Sequence, residues 1–119
     1  MTPAEYASMD GVELGHRLQR RELNARDVLD AAIHAIDQLN PTLNAVVIKN
    51  FENASKSIRD GLVTGPLAGV PFLVKDVNVF TSDMPTTFSS RFFRGRIAQT
   101  RQSPGRASAR GRTGAAGKK

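Results

Sequence analysis

The sequence predicts an α/β fold on three observations. Apolar residues recur at helical spacing in segments that open near Asp10, Asn24 and Phe51, each followed by polar residues on the opposite side. An apolar run, Gly69-Val70-Pro71-Phe72-Leu73-Val74, is entered through Gly and Pro and finishes on Lys75-Asp76, which is the pattern of a strand. Residues 91–119 contain no Leu, Val, Met or Tyr, and their only large apolar groups are Phe92, Phe93 and Ile97, so the packed part is expected to end near residue 96. The predicted order is short helices leading into one core strand, then a disordered basic tail. The predicted division is a partial domain over 1–96 and an Arg/Gly/Ala-rich tail over 97–119.

Each element has a local cause. Asp10 with Glu13 three residues on has the form of a capping box, and Val12, Leu14 and Leu18 give that helix its apolar face. Asn24 caps the second helix with Asp27 completing the box, and Val28, Leu29, Ala32, Ile33, Ile36 and Leu39 form its stripe. Asp27, Asp30, His34 and Asp37 project on the other side, as a solvated face does. Asn40-Pro41 is expected to end the helix, because the proline ring disfavours helical geometry at the residue before it. Ala45 to Ile48 reads as a short strand or a buried connection. From Phe51, a third helix aligns Phe51, Ala54, Ile58 and Leu62, and Gly61 and Gly65-Pro66 close it.

Composition sets further bounds. A chain of 119 residues allows one small domain, and a domain of that size buries a modest share of its surface. With no Cys and two His, no disulfide framework, Cys-based zinc site or thiol chemistry is available, and neither a metal nor a cofactor is expected. No leader-like start and no apolar stretch of membrane-spanning length is present, so the chain reads as soluble and cytoplasmic, with no membrane partner. Residues 1–90 hold 8 Lys/Arg and 11 Asp/Glu, a net charge of −3, whereas 91–119 hold 9 Lys/Arg and no acid. The overall +6 describes neither part.

Lys75 is the residue whose setting suggests chemistry. A lysine near its ordinary pKa of ~10.4 is protonated at neutral pH and cannot act as a base, but burial disfavours the ammonium. Phe72, Leu73 and Val74 supply an apolar approach, and strand alternation sends Asp76 to the face opposite Lys75. A deprotonated Lys75 is able to activate a serine hydroxyl, as in Ser-Lys relays. The plainer reading is a strand-end lysine with its stem on apolar surface and its head in water.

The residues also carry a resemblance. Asn24-Ala25-Arg26-Asp27, then Leu39-Asn40-Pro41-Thr42-Leu43-Asn44-Ala45-Val46-Val47, then Gly65-Pro66-Leu67-Ala68-Gly69-Val70-Pro71-Phe72-Leu73-Val74-Lys75-Asp76, then Pro85-Thr86-Thr87 resembles, in order and spacing, the N-terminal portion of the amidase signature family. The resemblance covers roughly residues 5–93. It implies the amidase signature α/β fold and hydrolysis of carboxylic amide C–N bonds by a Ser, cis-Ser, Lys triad. In that scheme the lysine, matched here by Lys75, acts through one serine on a nucleophilic second serine, which forms an acyl-enzyme. A small-molecule amide is the implied substrate.

The departures are equally informative. The family's two triad serines lie in a Gly/Ser-rich segment well downstream of the lysine, and no such run occurs here. Ser89-Ser90 is the only Ser pair; it is flanked by Phe88 and Arg91, and neither serine is assigned a nucleophilic role. The resemblance stops near Phe93 to Ile97 and gives way to Arg, Gly, Ala, Ser and Pro, as happens when a GC-rich reading frame is left. The expectation is a truncated or frameshifted amidase fragment, inactive alone, and the other two nucleotide frames past residue 97 test it. The alternative is a small basic nucleic-acid-binding module, with nine positive charges on phosphates and Phe92 and Phe93 stacking on bases. No recognised nucleic-acid motif accompanies them, so specific binding is not expected. Gly65–Gly69 lacks the Gly-Lys-Ser/Thr ending of a phosphate loop, and His16 has no acid or nucleophile fixed beside it. Substrate identity and oligomeric state are not legible.

Overall fold

The computed structural model describes residues 1–77, 81, 83–97 and the backbone of 115–118. Four α-helices come first among the described residues: α1 Pro3–Ser8, α2 Gly11–Gln19, α3 Ala25–Leu43 and α4 Phe51–Arg59. Three short strands, β1 Ile48–Lys49, β2 Phe72–Val74 and β3 Ala115–Lys118, form one sheet in the order β1-β3-β2.

The helix α1 was not foreseen, because its six residues are too few for apolar periodicity to show. Capping makes it: Pro3 stands in the first turn, the Thr2 hydroxyl accepts from the Glu5 N–H, and the Glu5 carboxylate accepts from the Thr2 N–H at 2.6 Å. That last bond, above all, holds the Glu5 carboxyl below its ordinary value. At α2 the cap is one-sided. The Asp10 carboxylate accepts from the Val12 and Glu13 N–H groups, while Glu13 pairs with Arg17 at 2.6 Å instead of returning to Asp10. Asn24 caps α3 through the Arg26 N–H as predicted.

Pro41 lies inside α3, which runs on to Leu43. A proline in the last turn removes one helical hydrogen bond, and the neighbouring Asn40 bonds the chain beyond the helix. Its side chain accepts from the Val46 N–H at 2.8 Å and donates to the Val46 carbonyl at 3.0 Å, which pins the returning chain against the helix. Asn44, at φ 47°, takes the left-handed conformation that reverses the direction, with its N–H on the Asn40 carbonyl.

Two small cores hold the helices. Leu14, Val28 and Val70 are buried together with Tyr6, Met9, Leu18 and Leu23 around them. Leu29 and Ala54 form the second, with Ile33, Phe51 and Ile58. Full burial of a Leu or Val is worth about 1.5–3 kcal/mol, so these few side chains carry most of the apolar stabilisation of the helical layer. Between α2 and the loop before β2 the backbones touch: a Cβ at Gly15 would collide with the Pro66 carbonyl oxygen. Gln19 adds a hydrogen bond to the Gly65 carbonyl at 3.2 Å. Gly69, at φ 86°, passes close to Ala25, Leu62 and Leu18, and only glycine meets both demands without strain.

The tail differs from the sequence expectation at four residues. Ala115–Lys118 are a strand rather than disordered chain, antiparallel to β1 with Ile48 opposite Lys118, and parallel to β2 with Val74 opposite Lys118. Ladder formation needs backbone donors and acceptors only, so a segment poor in large apolar groups still fills the gap between two strand edges. The rest of the tail, 98–114 and 119, lies outside the described residues.

Candidate active site

The loop 61–71 delivers the chain to β2, and Val70 anchors it in the first core. Strand alternation then sorts the side chains. Val74 and Asp76 are buried, whereas Lys75 between them is exposed. The predicted separation of Lys75 from Asp76 is therefore present. Of the two readings of Lys75, the plainer one matches the described residues: Phe72 and Leu73 are only half-buried, and the lysine is exposed at the end of the strand. Among the described residues no ion pair or side-chain hydrogen bond reaches Lys75.

Asp76 is the residue that sequence reasoning undervalued. Its carboxylate accepts from the Thr87 N–H at 2.7 Å and from the Thr87 hydroxyl, tying the loop 85–87 to the end of β2. Thr86 is buried beside it, and its N–H donates to the Arg96 carbonyl at 3.1 Å. Thr81, also buried, donates to the carbonyl of Met84, one of the most deeply buried side chains. The signal was present in the sequence: Asp76 shares strand parity with Val74, so it faces inward and requires polar partners there.

The serines sit differently. Ser89 is exposed at φ 57°, following Phe88 at φ 50°. Ser90 caps the 3₁₀ turn Arg91–Phe93, accepting from the Phe92 N–H at 3.3 Å. This is a capping role not foreseen from the sequence. Phe92 is 87% exposed, edge-on to Phe93, and Arg96 lies over the Phe93 ring.

The remaining candidates behave as surface groups. His16 and His34 are exposed; Asp30 pairs with Arg26 along α3, and Asp37 of α3 with Lys49 of β1. No group of three or more His, Cys, Asp or Glu suited to a metal occurs among the described residues. No helix among them is long and apolar enough to cross a membrane. Most of the basic tail invoked for phosphate contacts lies outside the described residues.

Comparison with known proteins gives this geometry its context. The family profile described as Amidase matches residues 27–103, more than half of the chain. The chain is 38% identical over 87 residues to one of the subunits of the glutamyl-tRNA(Gln) amidotransferase of Lachnospira eligens, a match covering 67% of this chain and 18% of that relative. A 6-aminohexanoate cyclic dimer hydrolase solved with its substrate superposes with a TM-score of 0.83 at 27% identity, over 92% of this chain and 23% of the hydrolase. A bacterial aryl acylamidase of the amidase signature family does so at 0.76 and 25% identity, over 92% of this chain and 24% of the acylamidase. The chain thus spans about a fifth to a quarter of the proteins that it matches. Both the profile over 27–103 and the shared architecture lead to one conclusion: this chain belongs to the amidase signature family.

Proposed function

We propose that this chain contributes the lysine of an amide-hydrolysing site and that the serines come from outside its 119 residues. The carrying observation is the end of β2, where Lys75 reaches solvent from a strand whose next residue, Asp76, is locked to Thr87. In this reading the Lys75 amine takes a proton, through an intermediate serine, from the serine that attacks the amide carbonyl. As the acyl-enzyme forms, the C–N bond breaks and the leaving amine takes that proton; water, giving its proton to the same relay, then cleaves the ester, and the proton returns to the nucleophilic serine as the acid leaves. A base of this kind needs a desolvated amine, and the described residues leave Lys75 exposed. Whatever brings the serines also covers the lysine, and the isolated chain is inactive.

The test is hydrolysis of a panel of simple amides by the purified chain, with Lys75→Ala as control. Turnover indistinguishable from the control is the expected result. Turnover abolished by Lys75→Ala in the isolated chain would place a working nucleophile within it, Ser89 or Ser90 first, and overturn the reading.

A further inference from the structure

The turn around Phe92 shows solvent an uncommon set of side chains. Phe92 is 87% exposed, and Arg91, Arg94 and Arg96, its neighbours in sequence, are exposed as well. Among the described residues none of these three guanidiniums meets a carboxylate, whereas Arg17, Arg20 and Arg26 are each paired with an acid. Arg96 lies instead over the Phe93 ring at 5.5 Å, and Phe93 also meets Phe88 at 5.7 Å and Phe92 edge to face at 5.1 Å.

The turn is firmly held. Ser90 caps it, the Ser90 N–H donates to the Thr87 carbonyl at 2.8 Å, and Thr87 is itself fixed on Asp76. At the other end the Arg96 carbonyl accepts from the Thr86 N–H at 3.1 Å, so residues 86–96 form a closed loop tied to the end of β2. Phe88 and Ser89 enter the turn at φ 50° and 57°, a left-handed pair that side chains disfavour and that persists where surrounding bonds enforce it. Phe92 therefore stands on a fixed base.

We propose that this turn binds single-stranded nucleic acid without sequence preference: a base stacks on Phe92 while Arg91, Arg94 and Arg96 hold the flanking phosphates. An exposed ring among unpaired cations suits a polyanion that carries flat apolar groups, because each phosphate neutralises a guanidinium and each base has a face for the ring. Duplex bases are stacked on one another and offer no such face. A lipid surface needs a wider apolar face than Phe92 and the neighbouring Ile97 provide. A second copy of this chain offers an acidic cleft near its N-terminus, but there Glu13 and Glu22 are already paired with Arg17 and Arg20, and Glu5 with the Thr2 N–H. Residues 91–119 carry 9 Lys/Arg and no acid, which draws in any polyanion, and Phe92 supplies the preference for bases. Amide hydrolysis plays no part in this binding.

The experiment is fluorescence anisotropy of a labelled oligothymidine of about a dozen residues, and of the matching oligouridine, titrated with the full 119-residue chain over a range of salt. Saturable binding to one or both is expected, and the tighter of the two tells DNA from RNA. Phe92→Ala should weaken it roughly tenfold at every salt concentration, and Phe92→Trp should restore it. Arg91→Gln with Arg94→Gln should flatten the slope of log affinity against log salt by about 1.4. Arg59→Gln, an exposed cation on α4, should leave both quantities unchanged. Inorganic polyphosphate has no bases, so it should bind the unaltered chain and Phe92→Ala alike. Circular dichroism checks that each variant keeps its helices. No saturable binding by the unaltered chain overturns the proposal, as does equal oligonucleotide binding by a folded Phe92→Ala. So does an equal loss of polyphosphate binding in that variant, because the ring would then act on something other than a base.

Discussion

Thr87 engages both carboxylate oxygens of Asp76, its N–H on one and its hydroxyl on the other, eleven residues along the chain from the end of β2. The pair fixes the loop 85–87 immediately beside the position that follows Lys75. Thr87→Val keeps the shape and removes one donor to a buried carboxylate. A loss of about 1–3 kcal/mol is expected, read as a lower urea midpoint with an unchanged slope. An unchanged midpoint would mean that the carboxylate is satisfied without the Thr87 hydroxyl.

Gly15 is where α2 and the loop before β2 meet backbone to backbone. Gly15→Ala would normally favour a helix, but here the added methyl meets the Pro66 carbonyl oxygen. Net destabilisation of about 1–3 kcal/mol is expected, with loss of the Gln19 to Gly65 hydrogen bond. Stabilisation on thermal unfolding would show that the two segments separate at little cost.

The Asn40 side chain bonds the Val46 backbone in both directions. Asn40→Leu should cost about 1–3 kcal/mol, because two backbone groups lose their partner at once. The Val46 amide is the place to look. Its hydrogen exchange should accelerate far more than that of Val28, which is held in the helix α3 by the Asn24 carbonyl.

Acid should loosen α1 before the rest. The Glu5 carboxyl is held below its ordinary value chiefly by the Thr2 backbone N–H. A depressed folded-state pKa gives a contribution that is present above the unfolded-state value and lost as pH falls through the folded one. Amide exchange in 3–8, corrected for its intrinsic pH dependence, should therefore rise below the ordinary carboxylate range. Glu5→Gln should abolish that pH dependence, and its persistence would point to another group.

The sequence revealed what is written in side-chain periodicity and missed what is written in caps and pairs. The apolar faces of α2, α3 and α4 and the core position of Val70 follow from spacing. The helix α1 rests on Thr2, Pro3 and Glu5, too short a signal for any period. Pro41 suggested a stop, yet the helix runs on to Leu43, and Asn40 ties the returning chain to it through Val46. At the site, the separation of Lys75 from Asp76 was legible from strand parity, whereas the sequence left open whether Lys75 was covered or had its head in water. Parity says which face a side chain takes; whether that face is covered depends on chain segments far away.

The position of β3 also has a consequence for the order of folding. Among the described residues β1 and β2 are joined in the sheet through β3, so the pairing of these strands waits until residues 115–118 have been made. The helical layer, whose contacts lie within α1 to α4 and the loop to Val70, has everything it needs much earlier. During synthesis the helices are therefore expected to settle while two strand edges wait open, a long-range closure that is slow and exposed to mispairing. A nascent chain halted before residue 115 should be helical by circular dichroism and prone to associate through those edges.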